Sequence, residues 1–449
     1  IVTELGKTLG LESPVEVKAV TDDVDAYALY LEARPLFHER RQLARAETLL
    51  ARAVELDPNF ARAWELRAAI QGLLVEYGEN DVSAEEHDQR VVAYANRALE
   101  LMGHAKGEYK YCSPHDHVNG SQSTNDAYPT SLHVGMLLGN IQLIASMKEL
   151  IAAFRAKGKE FASIVKMGRT QLQDAVPMTL GQEFEAFAET LTGEVRALEA
   201  MQNVLAETNM GATAIGTGLN APEGYAQKCT AHLAAITGFP IHLAPDLIEA
   251  TQDTQAFVLY SSCMKSLAIK LSKVCNDLRL LSSGPRCGLR EINLPAKQPG
   301  SSIMPGKVNP VIPEVVNMVC FRVIGSDLTV TMAAEGGQLQ LNVFEPVIAA
   351  CIFEAQTMFV NAARTLRVHC VDGITANPEI LQHYVNYSIG TVTALNPVIG
   401  YDKSTELAAE AMKTGRGIME LIREKKILSE EQIAEVLNPA AMTGQGRPS

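Results

Sequence analysis

The sequence predicts an all-α protein organised around a central bundle of long helices. Three observations carry that reading. Strand signals are nearly absent along the 449 residues. Apolar positions recur at helical spacing over stretches of roughly 25 to 35 residues, which would make rods of about 40–50 Å. The stretch 311–330 is apolar almost all round, broken mainly by Glu314, Asn317, Arg322, Ser326 and Asp327. A helix apolar on every face belongs in a bundle core.

Residues 1–25 show no clear period and read as a partly helical lead-in. Residues 27–40 read as a helix kinked near Pro35, and 46–56 as a second one stopped by Asp57-Pro58. A third starts at Asn59 and carries Ala63, Trp64, Leu66 and Ala69; 91–101 is a fourth. The runs Ala53-Val54-Glu55-Leu56-Asp57-Pro58 and Ala63-Trp64-Glu65-Leu66-Arg67-Ala68 resemble tetratricopeptide repeats. Those repeats place small residues where paired helices touch and a proline where units meet. Ala95-Asn96-Arg97-Ala98-Leu99-Glu100-Leu101 resembles the end of a further repeat, with extra residues around 76–86. Two repeats fall short of the three or so an independent solenoid needs, so a generic pair of helical hairpins is the alternative. The region 1–98 is expected to form one helical part.

From Leu99 the character changes. Residues 119–130 make a hydrogen-bonding polar loop, with Thr130 and Ser131 as caps for a helix over about 132–157. A second polar loop spans 168–175, and a helix follows Pro177 over about 180–207. Residues 211–222 are a Gly/Thr-rich loop. Helices are expected at about 223–236, 247–282, 311–334 and 345–370, completing a bundle over 99–370. The remainder, 371–449, with Pro378, Pro397 and Pro439, reads as a small separate helical domain.

Composition narrows the partners. The net charge of −13 argues against nucleic acid and anionic membranes. No uninterrupted apolar run approaches the roughly 20 residues of a membrane span. Eight cysteines, at 112, 229, 263, 275, 287, 320, 351 and 370, form no C-x-x-C pair and sit mostly in apolar helical stretches. They read as reduced core thiols of a cytoplasmic protein. The chain starts at Ile1 and shows no signal-peptide pattern.

Three hydroxyl- and amide-rich segments, 119–130, 168–175 and 300–310, call for one explanation. The third, Gly300-Ser301-Ser302-Ile303-Met304-Pro305-Gly306-Lys307-Val308-Asn309-Pro310, is too rich in Gly and Pro for a helix. Ile303 and Met304 argue against an ordinary surface turn. Together the segments offer many donors, with Lys307 and Arg169 as cations, an inventory suited to a small dianion. No metal-ligand spacing, no G-x-G-x-x-G, no G-x-x-x-x-G-K-[ST] and no G-x-S-x-G occurs. No cofactor is expected, and activation by a divalent cation is left open by the sequence.

Residues 300–310 resemble the signature loop of the aspartase/fumarase superfamily. Gln122-Ser123-Thr124-Asn125-Asp126-Ala127-Tyr128-Pro129-Thr130, Gly168-Arg169-Thr170-Gln171-Leu172-Gln173-Asp174-Ala175-Val176-Pro177, Ser282-Ser283-Gly284-Pro285-Arg286, Glu291-Ile292-Asn293-Leu294-Pro295 and Gly336-Gly337-Gln338-Leu339-Gln340-Leu341-Asn342 match as well. The resemblance runs from about Leu99 to Ser449. Within the superfamily the chain is similar to the branch that removes ammonia from aspartate; fumarases usually carry Ser in place of Thr124 and His in place of Gln171. The resemblance implies anti-elimination of ammonia from L-aspartate to fumarate through an aci-carboxylate. Ser301 is then the general base, Lys307 and Asn309 clamp one carboxylate, and Thr170 adds a hydrogen bond. Ser123, Thr124 and Ser302 hold the carboxylate on which charge builds. Asn125 and Gln171 face the amine, and Glu314 is an orienting carboxylate. Local alternatives are that Thr170 and Asn125 are caps and Glu314 a buried structural acid. A homotetramer with sites shared between chains is also implied.

One family feature is missing. The segment reading like T-S-x-N-M-N-T-N-E before L-E-L-M-G-H has no counterpart; residues 81–90 are Asp-Val-Ser-Ala-Glu-Glu-His-Asp-Gln-Arg, with Ser83 as the nearest hydroxyl. The chain therefore reads as a chimera joined near Leu99. Two alternatives stand beside the ammonia-lyase: a fumarate hydratase, and a catalytically impaired scaffold that binds partners through its helical repeats.

Overall fold

The computed structural model describes residues 21, 23–38, 42–77, 90, 93–94, 96–97, 99–105, 121–300, 302–436 and 443. They form an all-α fold divided into two compact units, Ile1–Gly120 and Ser121–Ser449.

In the first unit, α1 (Val24–His38), α2 (Leu43–Leu56) and α3 (Ala61–Tyr77) pack in sequence order. Pro35 lies inside α1, which continues past it. Small side chains make the contacts: Ala26, Ala33, Ala46, Ala53 and Ala63 are buried with Leu43, Leu50, Phe60, Ile70 and Leu74. The Asp57-Pro58 stop works as a hydrogen-bonded turn. Asp57 accepts from Thr21 Oγ1 at 2.5 Å and from the Asn59 N–H at 2.9 Å. Arg67 lies against the rings of Trp64 and Tyr94, 5.0 and 4.3 Å from their centroids, and bonds Glu47. The described residues of the 91–101 stretch are helical.

The second unit is built on α4 (Thr124–Glu160), α5 (Leu180–Leu205), α8 (Gln255–Leu281), α9 (Val311–Glu335) and α10 (Glu345–His369). Shorter helices α6 (Tyr225–Thr237) and α7 (Leu247–Gln252) lie between α5 and α8 in sequence. The expected 247–282 helix is broken, because Asp253 leaves the helical region (ψ 140°) and its carboxylate accepts the Gln255 N–H at 2.8 Å. A mid-bundle polar relay ties four helices. Asn140 donates to Leu198 O, Tyr260 O–H donates to Asn140, and Gln356 donates to Tyr260 Oη and Met136 O.

Hydrogen bonds also fix which helix ends meet. At one end, which we call the α4-start end, Asn209 just beyond α5 reaches Asn125 O and Thr251 Oγ1, His133 bonds Leu205 O, and Ser261 early in α8 bonds Asp327 late in α9. At the other end, 161–181 closes on itself through Gly181 N–H to Phe161 O, Asn317 early in α9 bonds Ser272 and Asn276 late in α8, and Lys157 reaches Ile374 O. A 37-residue α4 makes these ends about 55 Å apart.

Two expectations fail here for stated reasons. The helix expected from 132 begins at Thr124, because Ser123 and Asp126 form a capping box that places the cap upstream of Thr130 and Ser131. Pro129 is tolerated inside it: the Asn125 carbonyl that its missing N–H would have used accepts from Asn209 Nδ2 at 2.9 Å. The polar segment 168–175 is no loop. It is the end of a hairpin, β1 (Val165–Thr170) against β2 (Gln173–Thr179).

Three helical spans, Thr124–Glu160, Val311–Glu335 and Glu345–Gly373, are long and apolar enough to cross a membrane by length and composition. That corrects the sequence expectation, which counted only uninterrupted runs. Their apolar content has a local cause, since α4, α9 and α10 supply much of one buried core from Leu132 to Leu381.

The short strands β3 (Ile292–Asn293) and β4 (Thr375–Ala376) pair antiparallel and tie the segment after α10 to the end opposite the α4 start. Helices α11 (Pro378–Tyr387), α12 (Thr391–Ile399), α13 (Tyr401–Thr414), α14 (Ile418–Glu424) and α15 (Glu430–Val436) follow. A separate small core of Leu395, Leu407, Ile418, Leu421, Ile422 and Ile433 holds the last four.

Candidate active site

Ser123, Thr124 and Asn125 sit at the first turn of α4. Ser123 is its N-cap, its hydroxyl accepting the Asn125 N–H at 3.1 Å. The turn is fastened from below by Asp126, which is fully buried. One Asp126 oxygen accepts the Ser123 N–H at 2.8 Å, and the other accepts the N–H groups of Gly211 and Thr213 at 3.2 and 2.9 Å. Thr213 adopts φ 57°, a strained region for a β-branched residue. Asn125 donates its side-chain N–H to Ala214 O at 2.7 Å. A carbonyl can only accept, so the amide is fixed with Oδ1 free to take a donor. Asn125 is therefore not a cap.

Thr170 and Gln171 lie at the hairpin tip, both exposed. Gln171 and Leu172 take φ 52° and 64°, the left-handed pair of a tight hairpin turn. Thr170 ends β1 and caps no helix. Behind the tip, Arg169 Nη1 bonds Glu291 Oε1 at 2.6 Å, and its guanidinium lies 5.4 Å from the Tyr384 ring centre. Arg169 is thus committed to a buried acid rather than offered to a substrate dianion, which corrects the sequence reading of it as a site cation. Lys166 is buried between Glu183 at 2.6 Å and Glu291 at 2.8 Å. Burial raises the Glu183 carboxyl, opposed by Lys166.

The 300–310 loop closes on itself. Gly300 N–H donates to Lys307 O at 2.6 Å, and Asn309 Nδ2 donates to Gly300 O at 3.3 Å. A Cβ at 300 would sit 2.7 Å from Lys307 O, so the neck requires glycine. Ser301 lies outside the described residues. Ser302 and Lys307 are exposed, and so are Ile303, at 86%, and Met304, contrary to their expected burial. Glu314, in the first turn of α9, is partly exposed and lies 3.8 Å from Arg279. Arg279 also bonds Asn317. Glu314 is therefore not a buried structural acid. Residues 81–89, including Ser83, lie outside the described residues.

The chain brings some of these groups to one place and keeps others away. The hairpin and the 300–310 loop belong to the same end of the bundle, because Glu291 joins β1 to the segment that leads into the loop. Ser123, Thr124 and Asn125 belong to the opposite end. The hairpin strands span about 20 Å at most, so at least about 30 Å of the α4 length separates Asn125 from Thr170. A small dicarboxylate cannot bridge that gap within one chain.

Sequence reasoning missed Asp126 and Glu291 as anchors. The Ser123-x-x-Asp126 spacing signalled the first; nothing local signalled the second, whose partner is 122 residues away. Among the described residues, no group of three His, Cys, Asp or Glu gathers to hold a metal.

Comparison with known proteins agrees with this architecture. The profile of the family described as Lyase matches residues 20–325, and that described as Fumarase C C-terminus matches 392–444. The aspartate ammonia-lyase of Pseudomonas aeruginosa is 60% identical over 349 residues, 78% of this chain and 74% of that protein. Those of Helicobacter pylori and Escherichia coli are 58% and 54% identical, the chain covering 74% and 72% of them and the matches 78% and 77% of the chain. Among solved structures, a fumarate lyase:delta crystallin from Brucella melitensis bound to cobalt superposes with TM-score 0.76 at 46% identity, covering 93% of this chain and 89% of that one. A recombinant class II fumarase from Schistosoma mansoni gives TM-score 0.76 at 32% identity over 86% of each. The chain belongs to the Lyase family of the aspartase/fumarase superfamily.

Proposed function

We propose that this chain is an aspartate ammonia-lyase, removing ammonia from L-aspartate to give fumarate. One observation carries the reading. Bacterial aspartate ammonia-lyases are 54–60% identical to it over more than three quarters of its length, and every site candidate lies inside the span matched by the Lyase profile.

In this reading Ser301 takes the proton from the carbon beside the side-chain carboxylate. The electron pair moves onto that carboxylate, giving an aci-carboxylate; the carbon–nitrogen bond then breaks and ammonia leaves. Lys307 and Asn309, with Thr170, hold one carboxylate, while Ser123, Thr124 and Ser302 stabilise the developing charge. Asn125 and Gln171 face the amine. The fixed amide of Asn125 supports that role, since with Nδ2 donating to Ala214 O its oxygen can accept from a donor such as an ammonium. Glu314 orients its neighbours.

The site would draw on more than one chain of a homotetramer. The opposite-end placement of Asn125 and Thr170 supports this, as does α9. Met318, Phe321, Leu328 and Met332, with Gly325 between them, repeat at 3–4 spacing and are exposed, a seam suited to a second copy of the same helix. A cytoplasmic location is in keeping with the free thiols of Cys229, Cys263, Cys275, Cys287, Cys320, Cys351 and Cys370. The buried alanines of α1–α3 support a tetratricopeptide-like N-terminal part, joined to the lyase near Leu99.

Incubation with millimolar aspartate should raise fumarate absorbance; a flat trace from folded protein refutes the reading. Malate in place of aspartate tests the hydratase alternative. Light scattering should give the mass of four chains. Removal of residues 1–98 should leave four chains per particle, with the mass lower only by the residues removed, if the first unit is a separate repeat-like part, and dissociation would overturn that assignment.

A further inference from the structure

Strand β1 holds two cations on one acid, Lys166 buried and Arg169 half-buried, and strand geometry does not provide for this. Lys166 and Arg169 are three residues apart in β1, so regular alternation would send them to opposite faces. Both nevertheless reach Glu291, at 2.8 and 2.6 Å. The ladder is irregular at this point. Met167 pairs with Pro177 but Arg169 pairs with Asp174, so the register slips between them. The extra residue lies in β2, where Ala175 and Val176 stand opposite Gly168, and a Cβ at 168 would lie 2.9 Å from Val176 O. Such a bulge rotates the residues beyond it, here Thr170 and Gln171.

Glu291 is fully buried, and its backbone is fixed to two other segments. Its N–H donates to Leu281 O at the end of α8, and its carbonyl accepts from Asn377 N–H. Tyr384, whose ring faces Arg169, donates to Leu289 O at 3.0 Å. The chain beyond Glu291 runs directly into the 300–310 loop. Lys166 is also held by Glu183, whereas the described ion pair of Arg169 is with Glu291.

We propose that Glu291 is a positioning residue for the reaction: it clamps Lys166 and Arg169 of β1 beside the bulge in β2 and so sets the rotation of Thr170 and Gln171 relative to the 300–310 loop. The proposal rests on the assignment of Thr170 and Gln171 to the site. Glu291 touches no substrate; it acts through Arg169. A displacement of about 1 Å at a positioned group costs on the order of a hundredfold in rate.

The test uses the full chain with Glu291→Gln, which keeps shape and one acceptor but removes the charge, and with Arg169→Lys, which keeps the charge and the Lys166 pairs but loses the fork. Turnover of aspartate and hydrogen exchange of the 165–179 amides are read in both. The expected result is a fall in kcat of about tenfold to a hundredfold in folded protein, with KM changed less, and faster exchange at the tip than at the strand base. Arg169→Lys should show the kcat loss with little change in Tm, which a merely structural role would not produce. If kcat and tip exchange both stay within twofold of the parent in Arg169→Lys, the proposal is overturned, whatever happens to Glu291→Gln. If the parent chain does not turn over aspartate, the assigned chemistry fails, and the exchange measurement alone decides whether the clamp exists.

Discussion

The two ends of the bundle solve the same problem with different chemistry. At the α4 start, one buried carboxylate, Asp126, gathers three backbone N–H groups, and the polar residues above it are set by main-chain hydrogen bonds. At the far end the hairpin is set by an ionic cluster of Lys166, Arg169, Glu183 and Glu291, while the 300–310 loop beside it is tied chiefly to its own ends. Main-chain anchoring makes a corner whose orientation is inseparable from folding. The loop, by contrast, is exposed over most of its length. The corner at one end is thus built into the fold, and in the proposed tetramer the loop at the other end would be finished on assembly.

Substitutions at the two ends should separate stability from turnover. Ser301→Ala should give the largest effect, a loss of kcat of about a thousandfold or more, with Tm within a degree or two of the parent. Unchanged turnover would remove Ser301 as the base. Asp126→Ala should do the reverse in kind, costing about 3 kcal/mol in urea unfolding because three N–H groups lose a buried acceptor. If it melts like the parent, the α4-start corner is not fixed by folding and the contrast collapses.

Smaller effects come from two titrating groups near the α4 start. Burial lowers His133 to about 4, with Leu205 O partly opposing. The unfolded chain then binds the extra proton, so stability falls as pH drops from about 6.5 to 4. Burial raises Glu345 to about 7. Here the folded chain binds the extra proton, so stability falls as pH rises from about 4.5 to 7. Glu345→Gln should therefore stabilise by about 2 kcal/mol at pH 8 and by little at pH 4.5, and His133→Gln should flatten the acid limb. Unfolding curves across pH check both signs.

The long helices were legible because their apolar periodicity is strong, and their ends fall within a few residues of expectation for α5, α6, α9 and α10. The hairpin was not legible. Its turn uses Gln171 and Leu172, neither of which advertises positive φ, and its strands are rich in polar residues. The α4 start lies upstream of its expected place because a run of small polar residues favours a loop, whereas Ser123 and Asp126 close a capping box there. The polar segments themselves were readable, but their distribution between two ends was not, since it depends on which helices run antiparallel. Ile303 and Met304 mark the same limit: apolar side chains in a loop imply cover, yet the cover need not come from the same chain.

The separation of Asn125 from Thr170 along α4 has a genetic consequence. If a working site must borrow its two halves from different copies, two inactive alleles need not be equally inactive together. A chain damaged at Thr124 and a chain damaged at Ser301, coexpressed in equal amounts, would assemble some sites from their undamaged halves. Random mixing leaves about a quarter of such sites intact. Inheritance of this enzyme would then follow the geometry of the oligomer: lesions at opposite ends of the bundle complement one another, and lesions at the same end do not.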